Sequence, residues 1–466
     1  MQAAGPGWFR RRSFEGRLNS TSPTPALASE SVLTRAAENP LLRGGLTLAI
    51  GLLVGNVIGF ARVALTAYLL GTHSRADSLA VAMGPFDTVN SLVTNSMLFA
   101  FVPMLAGRSG PERAALFFKL CRSLIWVFVG LAAGIMAAAP WLMRVLAPGL
   151  DADAFHAAVN IFRVLAVSIT AVGVAALYSA LLYTERRFAP TAFYQASINL
   201  CTLVAALGLW KVAGVYAFAI GYTAGACLQL AIVSYVGRSS LQTAALPVCD
   251  LHWREILGKP AFFLVYAAGL GLNITFTRAY ATHAGSGMAA ALEYCIRGVG
   301  VPLALLVQPF SNSLLPEIAR LRAACRLPDA VRLIGRTVAL AALVAVAGCG
   351  FALLFRHPAI ALLFQRGSFT AESTELVSAV FLGLGPCLVG WSLFEILSRS
   401  LFALDRRWPP VVAAFIPVVV NATVTLRFGV SSPYWIGAGA SAGTLAGFAV
   451  LFLVWVGNRR RWLEQT

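Results

Sequence analysis

Unbroken apolar runs, not a two-residue or helical alternation of apolar and polar positions, dominate the chain. They lie near 46–70, 79–106, 123–143, 157–183, 189–210, 214–236, 261–282, 288–316, 337–355, 376–403, 409–428 and 434–456. A helix rises about 1.5 Å per residue, so about 20 apolar residues cross a hydrocarbon core of roughly 30 Å. Each run is long enough for that. The pattern predicts an all-α integral membrane protein with about 12 transmembrane helices.

Composition agrees with lipid as the main solvent. Hydrophobic residues make up 58% of the 466 and charged residues only 12%, against about 25% charged in soluble domains. The net charge of +17 would point to a nucleic acid in a soluble chain. Here the basic residues punctuate the apolar runs instead of forming one patch, so they read as topology determinants and no nucleic-acid partner is expected. The N-terminal arm, alternate loops and the C-terminal tail carry 25 Lys and Arg, including Arg10, Arg11, Arg12, Arg186, Arg187, Arg406, Arg407 and Arg459, whereas the opposite loops carry six. By the positive-inside rule both termini face the cytoplasm. The eight cysteines show no metal-ligand or redox spacing and most lie within apolar runs, as small buried hydrophobes do. No catalytic motif occurs, and the five histidines fall outside the helix interiors, so an enzyme is not expected.

Two short segments recur. Phe101-Val102-Pro103 closes the second apolar run and Leu314-Leu315-Pro316 the eighth. Glu185-Arg186-Arg187-Phe188-Ala189-Pro190 follows the fourth run and Asp405-Arg406-Arg407-Trp408-Pro409-Pro410 the tenth. Six runs separate the members of each pair, an even number, so the halves share one orientation. This predicts a parallel repeat: two six-helix lobes around a central cavity. The expected organisation is a disordered basic arm over 1–43, a lobe over 44–237, a cytoplasmic linker over 238–260, a second lobe over 261–457 and a basic tail over 458–466.

Charges inside the runs are costly, at least about 2.5–3.5 kcal/mol each at the membrane centre, and are therefore functional candidates. Eight occur: Arg62, Asp87, Arg163, Arg278, Glu293, Arg297, Glu395 and Arg399. Helical rise places Arg62, Asp87 and Arg297 at one depth, roughly 12–14 Å below the outer surface. Arg62 and Arg297, from different lobes, are the leading ligands for an anionic group, with Arg278 and Arg163 as further candidates. A guanidinium suits this role because its planar fork binds phosphate oxygens in pairs and stays charged. Asp87, Glu293, Glu395 and Arg399 read as residues that tune or gate the cavity. The i,i+4 pairs Glu293/Arg297 and Glu395/Arg399 are oriented favourably for helix-face ion pairs.

With these residues in view, the chain resembles the MurJ/MviN lipid II flippase family of the multidrug/oligosaccharidyl-lipid/polysaccharide exporter superfamily. The resemblance is carried by Ile58-Gly59-Phe60-Ala61-Arg62, Ala76-Asp77-Ser78, Ala100-Phe101-Val102-Pro103, Arg297 with Pro302, Leu314-Leu315-Pro316 and, most specifically, Leu363-Phe364-Gln365-Arg366-Gly367-Ser368-Phe369-Thr370-Ala371. It implies an inward-open cationic cavity that receives a polyprenyl-pyrophosphate-linked saccharide and releases it on the other side by alternating access. Arg62, Asp77 and Arg297 match functional positions of the family, with Asp77 implied as a further residue that tunes or gates the cavity. Asn56, Val89, Asn90 and Thr94 stand where the family has charged residues, and the chain ends after the twelfth helix where relatives commonly add two. The resemblance further implies a multi-pass protein of the bacterial inner membrane and a monomer without a cofactor. Membrane potential or a monovalent ion is the candidate driving force, and lipid-linked saccharide, bilayer and a cell-wall polymerase are the candidate partners. Two alternatives remain open: a flippase for another undecaprenyl-linked oligosaccharide, and an ion-coupled multidrug antiporter. The antiporter would need a buried acid free of cationic partners, for which Asp87 is the candidate.

Overall fold

A computed structural model describes residues 40–106, 108, 110–241, 261–302, 314, 317–318, 320–322, 324–429 and 431–463. Residues 1–39 of the predicted arm, 242–260 of the predicted interlobe linker and most of 303–316, including Leu315 and Pro316 of the repeat motif, lie outside the described residues. Residues 1–46 and 47–466 are separate units by backbone contact, and the helical bundle belongs to the second.

The first half contains α1 (Thr47–Leu70), α2 (Ser74–Ala106), α3 (Gly110–Leu146), α4 (Ala152–Thr184), the short α5 (Ala189–Ala192), α6 (Tyr194–Ala213) and α7 (Tyr216–Gly237). In the second half come α8 (Ala261–His283), α9 (Met288–Pro302), α10 (Leu327–Leu354), α11 (Arg356–Phe364), α12 (Ala371–Leu384), α13 (Cys387–Ala403), α14 (Trp408–Ala413), α15 (Ile416–Phe428) and α16 (Pro433–Leu463). Among the described residues nine helices are long and apolar enough to cross a membrane. The bent pair α12 and α13, broken at Gly385-Pro386, makes a tenth. The two remaining predicted spans correspond to α8 and to the start of the 288–316 run in α9. The first carries the polar residues Asn273, Thr277 and Arg278, and the second, with Glu293 and Arg297, is described over 15 residues. Several helices outrun their apolar cores, as α3 and α10 do, because polar ends remain helical where they leave the hydrocarbon. The short α11 was not foreseen.

Large apolar side chains face outward, among them Val57, Trp126, Val204, Leu343 and Leu453. In lipid these need no burial, so interior packing relies on small residues and hydrogen bonds. Within the first lobe α4, mostly buried, packs against α2, α3 and α7. In the second, α16 packs against α12, α13 and α15. The lobes meet where α2 lies against α8 and α9.

The repeat is visible in the packing. In the first lobe, Asn199 of α6 donates from Nδ2 to the carbonyl of Gly55 in α1 at 3.1 Å. In the second, Asn421 of α15 donates to Asn273 Oδ1 and Thr277 Oγ1 of α8 at 2.8 and 2.7 Å. Gly221 and Gly225 bring α7 onto Thr202 and Ile198 of α6, and Gly439 and Gly443 bring α16 onto Asn421 and Pro417 of α15. The links after α4 and α13 also match, with one correction to their alignment. The left-handed residues are Arg186 (φ 57°) and Asp405 (φ 60°). The next residue donates five back in each, Arg187 N to Leu182 O at 2.9 Å and Arg406 N to Leu401 O at 2.8 Å. Backbone geometry therefore aligns Arg186, not Glu185, with Asp405.

Asn421 is fully buried, and its amide also accepts from Thr425 Oγ1 at 2.9 Å. Replacing it with Leu strands the oxygens of Asn273 and Thr277 without their donor. Each orphaned group costs about 1–3 kcal/mol, so Asn421→Leu is expected to lower the midpoint of thermal unfolding in detergent by several degrees. An unchanged midpoint would show that water substitutes for the amide.

Candidate functional site

A cavity of about 760 Å³ lies between the lobes. Its wall runs from Leu48, Leu98, Tyr183 and Thr191, near the Arg186-Arg187 end of the bundle, to Asp87, Arg278, Glu293 and Arg297 at its blind end. The charges at the blind end form one network. Arg297 Nη2 donates to Asp87 Oδ2 across the lobes, and Arg62 Nη2 donates to the same oxygen at 3.4 Å. Arg297 Nε lies 3.4 Å from Glu293 Oε1. Arg278 donates through Nε and Nη2 to Glu293 Oε2 at 3.2 and 2.8 Å. The guanidinium of Arg278 lies over Gly84 of α2, where a β-carbon would collide with it. Three arginines against two acids leave one formal positive charge.

Depth arithmetic alone put Arg62, Asp87 and Arg297 at one level, and the structure brings them into contact. Their access differs, however. The side chains of Arg62 and Arg278 are each 7% exposed, those of Arg297 and Asp87 26% and 29%. Arg62 is absent from the main cavity's wall and lines a void of about 40 Å³ behind Asp87, with Thr66, Glu293 and Tyr294. Of the three arginines at the blind end, a ligand in the cavity meets Arg297 first, with Arg62 reached through the Asp87 carboxylate.

Arg163 is a correction. It is exposed on α4, on an outward stripe with Asn160 and Val167, and is not among the cavity's lining residues. Its rotation about the helix, which depth arithmetic ignores, turns it away. Glu395 and Arg399 pair at 2.6 Å on α13, and Arg399 reaches the cavity wall nearer its mouth. Asp87 is not free of cations, as an antiporter's carrier acid would be. It is shared by two.

Asp77 sits elsewhere. It is 2% exposed and accepts from the backbone N–H of Gly287 at 2.5 Å and of Ala290 at 2.8 Å. It thus caps the N-terminus of α9, the helix that carries Glu293 and Arg297, from the other lobe. Around it the blind end is sealed. Tyr294 donates to the Gly71 carbonyl at 2.7 Å, Ser368 N–H to the Tyr68 carbonyl at 2.9 Å and Gly149 N–H to Thr282 Oγ1 at 3.1 Å. Gly71 (φ 58°) and Gly287 (φ 82°) take left-handed conformations with the carbonyls of Ser368 and Thr72 where side chains would start. The loop motif at 363–371 therefore contributes to a cross-lobe closure. Ser74 donates to Asp151 beside it. That bond, with the Ala154 N–H, holds the Asp151 carboxyl below its ordinary range, so this contact is lost only as pH falls below the range in which an exposed carboxylate protonates.

Sequence reasoning passed over the uncharged part of the cavity. Tyr183, Tyr194, Gln195, Gln229 and Trp391 line it beside Asn56, Asn90 and Thr94. Their signal in the sequence is amides and hydroxyls recurring within apolar runs.

A family model for Lipid II flippase MurJ matches residues 66–465. The chain belongs to that family. Curated relatives include the lipid II flippase MurJ of Burkholderia cenocepacia, 27% identical over 427 residues that cover 84% of this chain and 81% of the relative. A probable lipid II flippase MurJ of Rhizobium meliloti is 26% identical, covering 89% and 80%. Among solved structures, a lipid II flippase MurJ in an inward closed conformation superposes with a TM-score of 0.76 at 18% identity, covering 90% of each chain. An inward-facing multidrug resistance MATE family transporter superposes with a TM-score of 0.75 at 12% identity, covering 87% of this chain and 95% of that one. At these identities the structures show the fold, an all-α membrane fold that the MurJ family shares with MATE transporters.

Proposed function

We propose that this chain is a lipid II flippase of the bacterial inner membrane, a transporter and not an enzyme, and that it moves its cargo by alternating access between the two lobes. The observation that carries the reading is the cationic cluster at the blind end of the cavity, with Arg297 foremost. A pyrophosphate brings oxygens that can replace the Asp87 carboxylate on Arg297 with charge-assisted hydrogen bonds of the same kind. The Arg297–Asp87 pair is also a tie between α9 and α2. Cargo that takes Arg297 away from Asp87 loosens the lobes at the point about which they would rock. Because a ligand shifts a conformational equilibrium only by its differential affinity, this exchange gives the cargo a means of doing so.

The distribution of basic residues assigns the cavity's mouth to the cytoplasm and the sealed end to the periplasm. A cysteine placed at 366–372, in a background without native cysteines, is expected to react with an impermeant maleimide from the periplasm. One at 324–329 should react only after the membrane is opened. The reverse pattern would invert both orientation and direction of transport.

The reading is tested by reconstituting the protein in vesicles with lipid II in one leaflet and following its appearance in the other. Transport that is lost in Arg297→Ala and kept in Arg163→Ala supports it. No transport by the intact chain, or equal loss in both variants, would overturn it. The MATE-like fold supports the antiporter alternative at the level of architecture, but an acid held by Arg62 and Arg297 is poorly placed to exchange a cation.

A further inference from the structure

The two lobes contribute different chemistry to the one cavity. From the second lobe come Leu270, Ile274, Ile296 and Trp391, with ionised groups at the blind end and Arg399 towards the mouth. The first lobe's wall, apart from Asp87, carries no charge. Between apolar residues such as Leu52, Phe60 and Leu98, it presents amides, hydroxyls and two phenols. Some of these polar groups are already engaged. Asn90 donates to Tyr222 Oη at 3.1 Å and receives Thr94 Oγ1 at 3.3 Å, and Gln229 donates to the Pro190 carbonyl at 3.2 Å while accepting from Ser197. Asn56 and Gln195 differ. Both are half-buried on the cavity wall, and neither amide has a hydrogen-bond partner among the described residues. Tyr183 lines the same wall and is held edge-on by Phe188, 5.2 Å between ring centres.

A sugar ring offers hydroxyls that both donate and accept, and axial C–H faces that pack on aromatic rings. An amide side chain has two donor hydrogens and an acceptor oxygen on one plane. It can therefore bridge neighbouring hydroxyls, and a tyrosine ring supplies an apolar face with a polar tip. Ionised groups are not needed for this, and the wall has none beyond Asp87. An amide kept unpaired at a half-buried position retains its full hydrogen-bonding capacity for a ligand.

We infer that the uncharged wall of the first lobe, with Asn56 and Gln195 as its hydrogen-bonding pair and Tyr183 as its stacking surface, binds the saccharide of the cargo while the arginine cluster holds the pyrophosphate. The inference rests on the flippase reading and adds to it a division of labour: the uncharged wall of the first lobe reads sugar hydroxyls, and the arginine cluster, with Arg297 of the second lobe foremost, holds phosphate.

The test compares two probes on purified protein, undecaprenyl pyrophosphate without sugar and the same lipid bearing a disaccharide. The intact chain should bind the sugar-bearing lipid more tightly. Asn56→Leu and Gln195→Leu should each weaken that binding by roughly 2- to 12-fold, the loss of one neutral hydrogen bond, and the double variant by more than either. None of the three should change affinity for the sugarless lipid, which also reports that each variant is folded. Arg297→Ala should weaken both probes. If the intact chain binds the two probes equally, or the Leu variants weaken both probes alike or neither, the saccharide assignment fails while the flippase reading stands. If the intact chain binds neither probe, both fail.

Discussion

Arg297→Ala is expected to weaken binding of a pyrophosphate-linked lipid by roughly 10- to 150-fold, the equivalent of one hydrogen bond to a charged group at about 1.5–3 kcal/mol. Among the arginines of the blind end it combines the greatest exposure with contact to both acids. Its removal takes the network's formal charge from +1 to zero and leaves Asp87 and Glu293 facing the cavity with less compensation, which adds repulsion of the cargo to the lost contact. Lysine should restore the charge but not the fork, and so rescue only in part. Asp87→Asn should act in the opposite sense on binding, since it frees Arg297 and raises the net charge, while turnover falls because bound cargo is held without a competitor. Equilibrium binding in detergent and initial flipping rates in vesicles separate the two effects. Arg297→Ala with wild-type affinity, or Asp87→Asn with weaker affinity, would leave these residues as helix tethers.

Because lipid demands long apolar runs, the sequence alone supported the fold class and nearly all the spans. The parallel repeat was legible from the Arg186-Arg187 and Arg406-Arg407 links, although their alignment was out of register by a residue. Like charges aligned there where the left-handed backbone positions do not. The meeting of Arg62, Asp87 and Arg297 was legible because depth along a helix follows from counting. Rotation about the helix does not, and Arg163, counted as a cavity residue, is exposed on the opposite face of α4. Nor could counting show that Arg62 lies behind Asp87, since that depends on how α1, α2 and α9 pack across lobes. The role of Asp77 was invisible for the same reason. Its partners are backbone N–H groups 210 and 213 residues away, and main-chain groups leave no trace in sequence.

Asp77→Ala is expected to open the sealed end of the bundle. The N–H groups of Gly287 and Ala290 would lose their acceptor at a position where Asp77 is 2% exposed and water has little access. Loss of an N-cap costs about 0.5–2 kcal/mol, and loss of a negative charge at a helix N-terminus up to about 2 kcal/mol when partly buried. Together these amount to at most about 4 kcal/mol and at least about 0.5, or a shift of about 2- to 1,000-fold toward conformations in which α2 and α9 have parted. Asp77→Asn keeps an oxygen acceptor without the charge and should fall between. Gly287→Ala attacks the same closure from the other side, because its β-carbon would enter the space of the Thr72 carbonyl and φ 82° is unfavourable for alanine. A cysteine at Thr72, which pairs with Ser373 across the lobes at 2.8 Å, reports the change through its rate of maleimide labelling from the sealed side. Labelling should be slow in the otherwise intact chain and much faster when Asp77→Ala or Gly287→Ala is added. The Arg297–Asp87 tie lies deeper in the same interface, so Asp77→Ala combined with Asp87→Asn should label faster still. If Asp77→Ala leaves the labelling rate unchanged while the protein remains folded, the carboxylate caps α9 without closing the end of the bundle, and the closure rests on the glycine contacts alone.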